Sequence, residues 1–171
     1  MCSPGITVFE GNAANPAVAD FTFHFLASKK KLEGTFLGGK VIGTPYGEWK
    51  TPEERFDMIS DWAMSVVGGC GKVCIEGYAF AAKGSALFQI GENTGVLKHK
   101  LYRAGIPYTT AAPTSVKKLA CGNGRAKKGE MYDSFYDKTG INLCAALDVV
   151  KKDGNPISDI VDSYFICETL L

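Results

Sequence analysis

Lys72-Val73-Cys74-Ile75-Glu76-Gly77-Tyr78-Ala79-Phe80 is the stretch on which the fold reading turns. It follows Gly68-Gly69, is β-branched at Val73 and Ile75, and meets glycine again at Gly77. That is the pattern of a short buried strand. Glu76 interrupts the apolar run near its end. A carboxylate in an interior strand is costly unless a bound cation or a paired base offsets its desolvation. The plainer alternative is a strand-end glutamate that reaches water.

Just upstream, Thr51-Pro52-Glu53-Glu54 predicts a helix start, with Thr51 as cap, Pro52 at the first position and Glu54 closing a capping box. Phe56, Ile59, Ala63, Val66 and Val67 continue it as an apolar stripe that Gly68-Gly69 ends. Gly69-Cys70-Gly71-Lys72 is not a phosphate loop, because Val66 holds the place of the leading glycine and Val73 that of the Ser or Thr. Downstream, residues 85–104 predict a second helix, with Leu87, Ile90, Thr94, Leu97 and Leu101 along one side. Gly91 and Gly95 on that helix permit close approach of another element. Residues 108–112 read as a strand closed by Pro113. Toward the N-terminus, residues 6–9 and 21–26 are strand-like, and Val41-Ile42 marks a shorter third strand. Hairpin strands followed by β-α-β units predict a mixed α/β sheet covered by helices.

A chain of 171 residues is most simply one domain, and 46% hydrophobic with 22% charged residues is ordinary for a globular protein. The net charge of +1 selects no partner. No apolar run is long enough to cross a bilayer, and the N-terminus lacks a signal pattern. The six cysteines form no C-x-x-C pair, which argues against zinc and for reduced thiols in the cytoplasm.

Two further segments carry chemistry. Lys117, Lys118, Arg125, Lys127 and Lys128 have no acidic residue between them and surround Gly122-Asn123-Gly124. A solvated loop has this composition; so does a loop that contacts a phosphate backbone. The following short helix, residues 130–138, carries Tyr132, Phe135 and Tyr136 as expected core. A last helix is expected from Asn155 as cap and Pro156 at its first position, burying Ile157, Ile160, Val161, Tyr164 and Phe165. Asp159 and Asp162 lie three apart on its other side, so both carboxylates can reach one point. Acidic residues in a first turn also suit the helix dipole.

Taken in order, Ile75-Glu76-Gly77-Tyr78, Gly91-Glu92-Asn93-Thr94-Gly95, Pro113-x-x-Val116-Lys117-Lys118, Gly122-x-Gly124-x-Ala126-x-Lys128 and Asp159-x-x-Asp162 form a set that resembles the RuvC-type Holliday junction resolvases. It is most similar to the phage-encoded branch of these RNase H-like nucleases, over about residues 51 to 166. The resemblance implies an RNase H-like fold and a homodimer acting on branched double-stranded DNA. It implies Glu76, Asp159 and Asp162 as catalytic, metal-binding carboxylates, with Lys117, Lys118, Arg125, Lys127 and Lys128 facing DNA. Hard oxygen ligands suit Mg2+ or Mn2+. In the family, a first central strand ending in Asp precedes the turn that Ser3-Pro4-Gly5 matches; here only Met1-Cys2 precedes it. The expectation is a single domain over residues 1–171, truncated at its N-terminus, in which Met1 is internal to a longer natural chain. The alternatives are a catalytically inactive branched-DNA-binding protein of the same fold, and an RNase H-like nuclease with another nucleic-acid target.

Overall fold

The computed structural model describes residues 4–78 and 85–171, without the side chains of Ser85 and Ala86. Met1 to Ser3, and the Ala79-Phe80 end of the stretch quoted above, lie outside the described residues. In chain order the elements are β1 (Gly5–Phe9), β2 (Phe21–Ala27), β3 (Gly34–Phe36), β4 (Val41–Pro45), α1 (Pro52–Val67), β5 (Val73–Glu76), α2 (Ser85–Arg103), β6 (Tyr108–Ala111), α3 (Pro113–Cys121), α4 (Lys128–Thr139), α5 (Leu143–Ala146) and α6 (Ile157–Glu168). They fall into two compact units, Met1–Tyr46 with Thr114–Leu171, and Gly47–Pro113.

The first unit holds a mixed sheet of order β1-β2-β4-β3. β1 runs antiparallel to β2, with Gly5 opposite Phe25 and Phe9 opposite Phe21. β2 runs parallel to β4, with Phe23 opposite Val41. β3 adds an antiparallel edge that the sequence pattern did not announce. The period-2 alternation of β2 sends Phe21, Phe23 and Phe25 inward and leaves Thr22 and His24 half-buried. The inward rings meet those of α4 and α6: Phe23 lies 5.6 Å from Phe135, Phe135 lies 5.1 Å from Tyr164, and Tyr164 lies 5.0 Å from Phe165. Each fully buried aromatic contributes on the order of 2–3 kcal/mol, so this cluster ties the two helices to the sheet. Tyr132 and Phe135 are core as expected, whereas Tyr136 is exposed.

In the second unit, Thr51 caps α1 by accepting a hydrogen bond from the Glu54 amide at 3.3 Å. The Glu54 carboxylate accepts from the Lys50 amide at 2.6 Å, one residue earlier than the predicted box. α1 packs on α2, and the Lys100 ammonium reaches Asp57 and Asp61, each at 2.6 Å. β5 pairs in parallel with β6, with Val73 opposite Tyr108 and Glu76 opposite Ala111. Val73, Cys74 and Ile75 are only half-buried, which corrects the expectation of a buried strand: among the described residues β5 has one strand neighbour. On α2, Leu101 is buried but Ile90 is half exposed, so the inward stripe is narrower than its spacing suggests.

Candidate nucleic-acid interface

α6 starts at Ile157 with Pro156 as its cap, one residue later than the sequence suggested. Asn155 accepts instead, at Oδ1, from the Ser158 hydroxyl at 3.0 Å. The five predicted core residues of α6 are each no more than 4% exposed. That stripe fixes the rotation of the helix, and the rotation places Asp159 and Asp162 on its less buried side, both half-buried. Two close approaches dock α6 on β1. The Thr7 and Ser163 hydroxyls hydrogen-bond at 2.7 Å. At Gly5 the two backbones come so close that a Cβ would stand 2.5 Å from the Asp159 carbonyl oxygen. Only glycine fits there.

Burial pushes the Asp162 carboxyl above the usual carboxylate range, and the ammonium groups of Lys128 and Lys117 partly offset that shift. Lys128 is held in place by donating to the Ser158 hydroxyl at 3.0 Å. Two basic residues from the predicted stretch are thus brought to the acidic helix by α3 and α4 rather than by a loop.

The rest of the stretch forms a groove of about 700 Å³ lined by Lys117, Arg125, Lys127, Lys128 and Lys152, together with Glu130, Asp133 and Asp153. Gly122 makes the turn that allows this, ending α3 at φ +70° with its amide donating to the Lys118 carbonyl at 2.8 Å. Two of the acidic residues are engaged locally. Glu130 accepts from the Lys127 amide at 2.6 Å, and Asp133 pairs with Lys152 at 2.7 Å. Lys117, Arg125, Lys127 and Lys128 take part in none of the salt bridges of the Lys31, Lys100, Lys138 and Lys152 ammonium groups. The groove is therefore an electropositive concavity with cations available to an anionic polymer.

Of the predicted DNA-facing residues, Lys118 is on the exposed side of α3 and does not line this groove. Lys152 does, although nothing in its local pattern announced it; the only signal was the Lys151-Lys152 pair shortly before α6. Glu76 ends β5 in the second unit as an exposed residue. Asp159 and Asp162 are hard oxygen donors at helical spacing, and their chemistry suits a magnesium-like cation. A group of three or more His, Cys, Asp or Glu side chains suited to a metal ion does not occur among the described residues.

Comparison with known proteins agrees at the level of fold. No protein-family model and no curated protein matches the chain. Among solved structures, RuvC from Thermus thermophilus superimposes with a TM-score of 0.57 at 18% identity, over 95% of this chain and 83% of that one. T. thermophilus RuvC in complex with Holliday junction substrate superimposes with a TM-score of 0.55 at 20% identity, over 95% of this chain and 92% of that one. The chain has a RuvC-like, RNase H-like mixed α/β fold.

Proposed function

We propose that this protein is a divalent-metal-dependent, structure-specific DNA endonuclease, acting as a homodimer on Holliday junctions or other branched DNA in the cytoplasm. The observation that carries the reading is the Asp159–Asp162 pair on α6, with Lys117 and Lys128 beside it and the cationic groove continuing from those lysines. The ordered motif set resembles the phage-encoded branch of the resolvases. Among the described residues no helix is long and apolar enough to cross a membrane.

In this reading Asp159 and Asp162 are metal-binding carboxylates for Mg2+ or Mn2+, and the family resemblance adds Glu76 to the catalytic carboxylates. When bound, such a cation supplies Lewis acidity for in-line attack of water on a phosphodiester, leaving 5′-phosphate and 3′-hydroxyl ends. Lys117, Arg125, Lys127 and Lys128 bind phosphates, and the ammonium groups next to Asp162 keep its carboxyl closer to the ionised state that a metal ligand needs. The exposure of Glu76 favours a second reading: a branched-DNA-binding protein of this fold without catalysis.

Glu76→Gln separates the two. Under the nuclease reading it abolishes magnesium-dependent cleavage of a four-way junction while junction binding in calcium persists. Magnesium should also raise the melting temperature of the parent more than that of the variant, because binding to the native state alone stabilises by mass action. A parent chain that binds junctions but neither cuts them nor gains stability with magnesium or manganese would leave the binding protein standing.

A further inference from the structure

A second run of cations lies outside the groove. Lys29, Lys30 and Lys31 follow directly after β2, and all three are exposed. Surface lysines are by default solvated, so what matters is where the fold holds these.

The turn that carries them is built into the sheet. Lys30–Leu32 form a single 3-10 turn, in which the Leu32 amide donates to the Lys29 carbonyl at 2.9 Å and the Glu33 amide to the Lys30 carbonyl at 3.1 Å. Leu32 anchors it, at 4% exposed. At Gly43 of β4 any Cβ would overlap the Leu32 carbonyl oxygen, so the turn seats on the sheet only because that position is glycine.

Its position is equally defined. β1 and β2 are antiparallel with Gly5 opposite Phe25, so β2 ends at the edge of the sheet where β1 begins. That is also where α6 begins, since Gly5 lies against the Asp159 carbonyl. The three lysines therefore leave β2 on the edge that carries Asp159. From there the Lys31 ammonium reaches the segment before α6, donating to the Asp148 carbonyl at 3.0 Å and pairing with its carboxylate at 3.3 Å. Four residues beyond Asp148, Lys152 lines the groove. Four residues of chain span at most about 14 Å, the rise of roughly four base pairs of duplex. Along this path Asp148 is engaged by Lys31 and Asp133 by Lys152. Glu33 and Asp153 are exposed acids there, and the exposed Lys29, Lys30 and Lys151 outnumber them.

We infer that the Lys29-Lys30-Lys31 turn is a second phosphate-backbone contact, continuing the cationic groove so that one DNA duplex arm lies across both. The inference rests on the DNA-binding part of the reading above and extends its surface; it requires no cleavage. Charge supplies the attraction, and the anchored turn supplies the register, because lysines on an ordered turn leave less freedom to be lost on binding. Lys31 is engaged by Asp148, so Lys29 and Lys30 carry the contact.

The double variant Lys29→Ala with Lys30→Ala tests this, in fluorescence-anisotropy titrations of linear duplex over a range of salt concentrations, with calcium in place of magnesium. Both side chains are exposed, so the variant should melt with the parent. On a long duplex its salt dependence should be shallower than the parent's by about 1.8 of slope, about 0.9 for each phosphate no longer neutralised. Duplex length then separates a second contact from a general loss of charge. As the duplex is shortened in steps of about four base pairs, a length should be reached at which the parent loses slope and the variant loses none, because the duplex no longer spans groove and turn. A variant with the parent's slope on long duplex, or a difference between the two that is the same at every length, overturns the inference. Lys127→Ala with Lys128→Ala reports on the groove in the same titration. Slope lost there but not at the turn overturns the second contact alone, whereas a parent that binds no DNA overturns it together with the DNA-binding reading.

Discussion

Gly5→Ala tests how tightly the acidic helix is seated. The added methyl would lie 2.5 Å from the Asp159 carbonyl oxygen, 2.7 Å from its carbonyl carbon and 3.1 Å from the Ile160 amide nitrogen. A comfortable carbon–oxygen separation is about 3.3 Å, so β1 and the first turn of α6 must move apart by roughly 0.8 Å. All the clashing atoms are backbone, held by the buried stripe of α6, and no flexible side chain can yield. Overpacking of this kind costs about 1–3 kcal/mol. Alanine recovers roughly 0.4–1 kcal/mol by restricting the unfolded chain. The net loss is about 1–2 kcal/mol, which for a chain of this size lowers the melting temperature by roughly 2–8 °C. The matched control is Gly71→Ala, where an added Cβ meets nothing within 4 Å and stability should hold or rise slightly. If the protein cleaves junctions as proposed, moving Asp159 should also slow cleavage, on the order of 10- to 100-fold. A Gly5→Ala protein that melts with the parent would refute the close seating of α6 on β1 and the positioning of Asp159 that rests on it.

Asp162→Asn should stabilise the metal-free protein at neutral pH. Burial, partly offset by Lys128 and Lys117, raises the carboxyl above its ordinary value of 3.8, so the folded protein holds its proton more tightly than the unfolded chain. Stability from this group is therefore present at low pH and is lost as pH rises from the unfolded to the folded value. Melts in chelator should show the Asn variant ahead at pH 7, with the gap closing below the unfolded value; equal melting at both would contradict the assignment. Replacing both Lys127 and Lys128 with Ala should weaken binding to branched and linear DNA alike, and flatten the salt dependence by about 0.9 of slope for each phosphate no longer neutralised. Lys118→Ala, outside the groove, should leave affinity and slope nearly unchanged in the same titration.

Much of this protein was written in local sequence. The Thr51 cap, the strand alternation of β2 and the α6 stripe from Ile157 to Phe165 all depend on interactions within a few residues, so they follow from periodicity and capping chemistry alone. The same stripe fixed where Asp159 and Asp162 could point, because a helix that buries one side has no choice about the other. What local pattern could not supply was company. The apolar composition of β5 predicts a strand, but its half-burial depends on how many strands lie beside it. Lys118 and Lys152 exchange roles for the same reason: basic residues are assigned to a surface by the packing of α3, α4 and the segment before α6. The parallel register of β2 on β4 and the close approach of Gly5 to Asp159 join residues far apart in the chain. Neither partner in such a pairing carries a mark of the other in its own neighbourhood, so only the tertiary structure decides it.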